Sequence, residues 1–308
     1  MRMTLRRRAQ RALPETEGPT LVVATYNIHR CVGVDRRYDP ARIAAVLSEI
    51  DADVIGLQEV DARRLGERNL DQWAYLSEAT GMHAIVGANV LDHQGRFGNA
   101  ILTRWPVLST RLHDLSVPGL EPRGAIDADI AVGDRRLRVV ATHFGLRDAE
   151  RRMQTTRLLD ALAEEEDEEE ENGGTQRPDA ILVMGDLNEW RGRRGGIRWL
   201  DGRLGRAPAP RTFPSWCPVL PLDRIYAAAP VVLCETRVHR SALARVASDH
   251  LPLCATMRWH AAGAAAAAVP HEPVTERPSP RVVPAAAAVS LRGNAPAPSA
   301  GARGRRRS

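Results

Sequence analysis

The stretch Ile181-Leu-Val-Met-Gly-Asp-Leu-Asn188 runs an apolar segment into a carboxylate, Asp186, and a carboxamide, Asn188. A carboxylate can orient water or hold a hard metal ion, and an amide N–H can donate to a phosphoryl oxygen, so the pair suits chemistry on phosphate esters. Alone, Gly-Asp-Leu-Asn reads equally as a strand-end turn, because Gly, Asp and Asn are turn formers. Five further segments share its design: Thr25-Tyr-Asn-Ile-His29, Leu57-Gln-Glu-Val60, Ala141-Thr-His-Phe144, Leu222-Asp-Arg-Ile-Tyr226 and Ser248-Asp-His250. Each follows or interrupts an apolar run and carries side chains able to bind a metal or a phosphate. Polar groups at several strand ends would converge on one rim.

Glu59 follows Val54-Ile-Gly-Leu-Gln58, a run that reads as buried, and a charged carboxylate there needs a cation or solvent. It is read as a Mg²⁺ ligand, with an exposed cap or salt-bridge Glu as the alternative. His250, with an ordinary pKa of about 6.5, is suited to proton transfer or to holding charge against a phosphoryl group. It is expected to open the strand Leu251-Pro-Leu-Cys-Ala255. Arg123, in Glu121-Pro-Arg-Gly124, can clamp phosphate through its planar guanidinium or be an ordinary loop residue. Asn99, in Phe97-Gly-Asn-Ala-Ile101, is a candidate for the site lining, although close strand packing would equally explain Gly98.

The elements that must position these residues are short strands and covering helices. Leu21 to Ala24, Val54 to Leu57, Leu137 to Ala141 and Ile181 to Met184 read as buried strands, and Asn99 to Leu102 and Ala125 to Ala131 as hairpin-like strands. Pro40 to Glu49 reads as a helix capped by Asp39, with Ile43, Val46 and Leu47 on one face. Asp71 to Ala79 and Arg147 to Ala163 read likewise, the second with Met153, Leu158, Leu159 and Leu162 on or near one stripe. The mixture indicates mixed sheets.

Charge is unevenly spread over the 308 residues. All 43 basic side chains are Arg, which excludes a lysine nucleophile or Schiff base. Residues 1–19 carry five Arg against two Glu and residues 261–308 seven against two, so the formal +5 leaves a core near −3. Glu164 to Glu171 is an unbroken acidic run, followed by Asn172-Gly-Gly174, and is read as a solvated mobile loop, 164–174, at a helix end. The Ala- and Pro-rich segment 261–308, ending Arg303-Gly-Arg-Arg-Arg-Ser308, has the composition of a disordered tail able to touch nucleic acid or anionic lipid. Met1 to Ala12 carries five Arg with no apolar h-region following them, so no secretory signal is expected there. No apolar run approaches the roughly 20 residues of a membrane span. A cytoplasmic protein is expected, with peripheral membrane attachment left open. Four scattered cysteines, with no Cys-x-x-Cys pair, are expected to be reduced and packed.

Taken in order, the six segments resemble the endonuclease/exonuclease/phosphatase superfamily of metal-dependent phosphoesterases, over residues 20–260. The resemblance implies an α+β fold, a four-layered α/β/β/α sandwich of two packed mixed β-sheets with helices outside, in one catalytic domain. It implies Mg²⁺ (Mn²⁺ as a substitute) held by Glu59, Asn27 and Asp249, with Asn27 contacting metal or phosphate. It implies that His250 contacts the scissile phosphate, as general base or electrostatic stabiliser. Asp223 would pair with His250, with a salt bridge to Arg224 as the alternative. His143 would donate to a phosphate oxygen or protonate the leaving group. Asp186 would orient the attacking water, Asn188 would hold a phosphoryl oxygen, and Arg123 and Asn99 would contact substrate. Leu57-Gln-Glu-Val60 and the absence of Lys separate the chain from the abasic-site endonuclease branch. Pro214-Ser-Trp-Cys217 resembles part of an inositol polyphosphate phosphatase motif, but Pro218 to Leu222 interrupts it before Asp223. The chain looks most like small stand-alone bacterial members. The expected activity is a phosphodiesterase acting on nucleic acid or a phospholipid head group. Phosphomonoesterase activity and a non-enzymatic polyanion-binding role are the alternatives.

Overall fold

The computed structural model describes residues 19–62, 70–92, 95–171, 177–191, 196–228 and 230–259. The expected basic N-terminal stretch, apart from Pro19, and the Arg-rich tail lie outside them.

Two mixed β-sheets form the centre. The six-stranded sheet has the order β10 (Val231–Val238), β11 (Leu253–Trp259), β1 (Thr20–Asn27), β2 (Val54–Asp61), β4 (Gly95–Thr103), β3 (His83–Asp92). The five-stranded sheet has the order β5 (Val107–Asp114), β6 (Gly124–Val132), β7 (Arg135–His143), β8 (Ala180–Asp186), β9 (Asp223–Ala227). Each sheet contains one parallel pair, β1–β2 and β7–β8, and the other pairings are antiparallel. A parallel pair needs a crossover, and both crossovers are helical. Helix α1 (Pro40–Ile50) joins β1 to β2, and α3 (Asp148–Glu171) joins β7 to β8.

Three apolar layers hold the sandwich together. Leu21, Val23, Ile101, Ile126, Val139, Leu182, Met184 and Met257 interdigitate between the sheets. The outer face of the six-stranded sheet packs through Ile55, Leu57 and Leu102 on α1, α2 (Gln72–Thr80) and α5 (Ala244–Ala247). Val140, Val183 and Tyr226 of the five-stranded sheet pack on α3 and α4 (Arg198–Leu204) through Leu158, Leu162 and Leu200. Each fully buried aliphatic side chain of this kind stabilises by about 1.5–3 kcal/mol. The α/β/β/α sandwich expected from sequence is the observed architecture.

Local chemistry sets the helix ends. Asp39 caps α1 by accepting from Arg42 N at 3.0 Å, with Pro40 in the first turn, and Asp71 caps α2 through Ala74 N at 3.2 Å. Such caps contribute about 1 kcal/mol each.

Four expectations are corrected. Helix α3 continues through Glu171, so 164–171 is helix rather than loop; Glu is a strong helix former and its propensity outweighs the crowding of like charge. Met153 is exposed, whereas Leu158 and Leu162 are buried, and the polar Arg151, Gln154 and Thr155 complete the inner face of α3. Strand β11 starts at Leu253, so His250 lies in the turn before it. Ser248 Oγ holds that turn by donating to Asn27 O (2.7 Å) and accepting from His250 N (3.3 Å), and Pro252 has no N–H for the ladder. Cys31 and Cys254 are packed, but Cys217 and Cys234 are exposed; all four are free.

Candidate active site

Both parallel pairs end on the same rim. Asn27 is the last residue of β1 and Asp186 the last of β8, 159 residues later, yet Asn27 Nδ2 donates to Asp186 Oδ2 at 3.1 Å. The same nitrogen donates to Glu59 Oε1 at 3.2 Å. The orientation of this amide is fixed by its oxygen, which accepts from His29 N at 3.0 Å. Asn27 therefore bridges two carboxylates as a donor.

Glu59 reaches the rim because β2 bulges against β4 between Leu57 and Val60, and Glu59 takes a left-handed conformation, φ 57°. A bulge places an extra residue on one strand and re-aims its side chain. Asn188 also has positive φ, 50°, where its own N–H donates to Asp186 Oδ1 at 3.0 Å. Non-glycine residues held in this region are uncommon and concentrate at working sites.

In the five-stranded sheet, His143 faces Asp186 across the parallel ladder and Asp186 faces Asp223 across the antiparallel one. His250 completes the cluster from the loop before β11. Its Nδ1 lies 3.0 Å from Asp223 Oδ2 and its Nε2 3.5 Å from Asp186 Oδ2. The Asp223 carboxylate meets the imidazole. Arg224, its alternative partner, instead donates to the carbonyl oxygens of Glu189, Pro221 and Asp223 itself. The ring of Phe213 packs on His250, with centroids 4.9 Å apart.

Burial and charge divide the two histidines. Burial alone would depress the His250 pKa, but Asp223 and Asp186 outweigh it and hold the group up at about 10, protonated at neutral pH. For His143, burial and the charges of Arg123 and His250 push the pKa well below its ordinary value, although Asp186 Oδ2 lies 3.5 Å from Nε2. Asp186 is raised to about 6, by burial first and by the Asp223 charge, against the pull of His250 and the Asn27 and Asn188 N–H groups. A neutral and a charged imidazole thus flank one carboxylate.

Arg123 is buried, with Nη1 3.4 Å from His143 Nδ1 and its guanidinium paired to Glu121 at 3.1 Å. Its Nε is buried and has no hydrogen-bond partner among the described residues. Asn188 Nδ2 lies 3.2 Å from His143 Nε2 and donates to Phe144 O at 2.9 Å. Asn99 sits behind this array, opposite the β2 bulge, and donates to Gly124 O at 3.0 Å; Gly98 is required beside it because a Cβ there would lie 2.2 Å from Gly87 O. Asp249 is more peripheral, half-exposed, 3.8 Å from His29 Nδ1 and 3.3 Å from Ser248 Oγ.

The donor set fits a hard divalent cation. Glu59 and Asp186 turn oxygens to the one Asn27 nitrogen, and carboxylate oxygens of Asp186 and Asp223 lie within 4.8 Å of one another, beside the His250 imidazole. Asp223 Oδ1 is buried with no hydrogen-bond partner among the described residues. A buried carboxylate oxygen left so calls for a cation or donor.

Sequence reasoning did not single out Ser248 as a tie between Asn27 and His250, nor Phe213. It also passed over Glu189, which is fully buried and bonded to Arg151 Nε at 3.3 Å, holding the loop after Asn188 to α3. The signal for Ser248 was present in Ser-Asp-His. For Phe213 there was none, because its partner is 37 residues away in the chain.

The family description "Endonuclease/Exonuclease/phosphatase family" matches residues 24–250. The protein YbhP of Escherichia coli (strain K12) is 30% identical over 265 residues, covering 78% of this chain and 97% of that protein. The crystal structure of an endonuclease/exonuclease/phosphatase from Beutenbergia cavernae DSM 12333 shares the fold with a TM-score of 0.60 at 21% identity, covering 78% of this chain and 72% of that one. The mannosyl-6-phosphatase Bt3783 of Bacteroides thetaiotaomicron VPI-5482 does so with a TM-score of 0.58 at 17% identity, covering 77% and 99%.

Proposed function

The chain belongs to the endonuclease/exonuclease/phosphatase family, whose members are hydrolases acting on phosphate esters, and from that premise we propose that it is a Mg²⁺-dependent phosphodiesterase. The observation that carries the reading is His250 held between two carboxylates, Asp223 at 3.0 Å and Asp186 at 3.5 Å, on the rim where Glu59, Asn27, Asn188 and His143 meet. Glu59 and Asp186 would hold the cation, with Asp223 and His250 beside them. When bound, it supplies Lewis-acid stabilisation of charge on the phosphoryl group.

The side chains divide the remaining work. Asp186, ionised at neutral pH, accepts a hydrogen bond from the attacking water and orients it. His250, kept protonated by its two carboxylates, donates to a phosphoryl oxygen as negative charge builds there. Asp223 fixes the imidazole through Nδ1, leaving Nε2 toward the substrate. His143, kept neutral, is backed by the Arg123 guanidinium, 3.4 Å from its Nδ1. A diester carries one negative charge where a monoester carries up to two. Within the site itself, the carboxylates of Glu59, Asp186 and Asp223, with Arg123 already paired to Glu121, favour the smaller charge.

His250→Ala and Asp186→Ala test these roles. Each should lower turnover of a soluble diester by about 10²–10⁴-fold while the melting temperature stays near that of the parent. Variants that unfold, or that turn over normally, would remove the assignment.

A further inference from the structure

Ten large apolar side chains remain exposed among the described residues, and they are not scattered evenly. Six lie at the active-site end of the sandwich, Val34, Leu146, Trp190, Trp216 and Val219 on loops and Val246 on the short helix α5. Trp216 is 69% exposed, Leu146 67% and Val219 51%. Three others line the edge strand β5 and one lies on α3, while the described connections at the opposite end carry none.

The rim loops are joined to one another through backbone and ring contacts. Arg151 donates to Leu146 O at 2.6 Å and stacks beneath the Trp190 ring at 5.2 Å. Glu189, next to Trp190, accepts through its carbonyl from Arg224, which also bonds Pro221 O in the loop that carries Trp216 and Val219. Ser215 ties that loop to Asp249 O (2.7 Å) and to Arg245 O (3.1 Å). Val34 N in turn donates to Val246 O at 3.2 Å. The apolar side chains thus sit on segments tied to one another at the end of the sandwich that carries His143, Asn188 and His250.

Exposed arginines are interleaved with them: Arg147 follows Leu146, Arg191 follows Trp190, and Arg36 and Arg37 follow Val34. Tryptophan beside arginine, over a border of Leu and Val, is the composition that settles at the boundary between lipid head groups and acyl chains. Guanidinium groups there complement anionic lipid. A nucleic-acid groove would use its aromatics to stack bases, and Val34, Leu146, Val219 and Val246 offer no ring for stacking.

We propose that this rim docks the site on the surface of an anionic phospholipid bilayer, so that the substrate is the phosphodiester of a membrane lipid head group. The docking stands on the rim alone; the substrate class also rests on the phosphodiesterase reading.

The test uses the full chain, vesicles of phosphatidylcholine with phosphatidylglycerol, and acyl chains brominated near the carbonyl. In salt high enough to screen the arginines, vesicle binding should persist and quench part of the tryptophan emission. Leu146→Gln combined with Trp216→Gln should weaken that salt-resistant binding about tenfold or more, with turnover of a soluble diester unchanged. Binding that vanishes in salt, or that the double variant leaves intact, overturns the docking. Binding of a short DNA duplex that is lost in the double variant while vesicles are ignored assigns the rim to nucleic acid instead. Vesicle binding without diester turnover leaves the docking standing and removes the phosphodiesterase reading.

Discussion

His143 and His250 are the same residue type on one buried rim, and their neighbours send them in opposite directions. His250 gains stability for its charged form from Asp223 and Asp186, while His143 is buried beside Arg123 and loses it. The consequence for stability has a definite sign. A group whose folded pKa lies below its unfolded value of about 6.5 is protonated first in the unfolded chain, so it costs nothing above that pH and destabilises the fold as pH falls below it. His250 works the other way: its contribution is complete below about pH 6.5 and is lost as pH rises toward about 10. Comparing the parent with His143→Gln isolates the first effect. Between pH 7 and pH 5 the parent should lose stability more steeply, by up to about 1.4 kcal/mol per pH unit, than the variant. Equal slopes in melting temperature against pH would mean that His143 is not held neutral.

Strands β7 and β8 must approach closely for His143 and Asp186 to meet, and Gly185 permits it. A Cβ at Gly185 would lie 1.9 Å from the Thr142 carbonyl oxygen of the paired strand. Gly185→Ala should destabilise by about 3 kcal/mol and lower activity further by displacing Asp186. Gly133→Ala, in an open turn at φ 66°, should cost only about 1 kcal/mol and spare activity; equal effects at the two positions, read by denaturant unfolding, would contradict this account. The Gly in Gly-Asp-Leu-Asn was legible as a turn former, but its reason is a carbonyl 43 residues away that no local pattern discloses. The strands bearing Asn27, Glu59, His143 and Asp186 were legible because each is a short apolar run. The β2 bulge that aims Glu59 was not, since it is defined against β4. Nor was the inner face of α3, where Arg151 is buried by its bond to Glu189, 38 residues on in the chain, while Met153 is left outside. The acidic run read as a loop by charge alone, and helix propensity prevailed.

The two sheets, both parallel pairs and both crossover helices serve one arrangement, in which strand ends from each sheet share a rim. The same packing sorts the four thiols. Cys254 is raised to about 11 and Cys31 is also raised, both chiefly by burial, whereas Cys217 and Cys234 are exposed. A thiol reagent should therefore modify two cysteines quickly in the native protein and all four in denaturant. Rapid labelling of all four without denaturant would show the core to be looser than described. No helix among the described residues is long and apolar enough to cross a membrane. The central claim is a metal-dependent diesterase centred on His250. The most direct measurement is hydrolysis of a simple phosphodiester and a simple phosphomonoester by the full chain, with Mg²⁺, with EDTA, and with His250→Ala. The account predicts diester cleavage that requires Mg²⁺, stops with EDTA and falls by about 10² or more in the variant. Turnover indifferent to EDTA, preference for the monoester, or an active His250→Ala protein would contradict it.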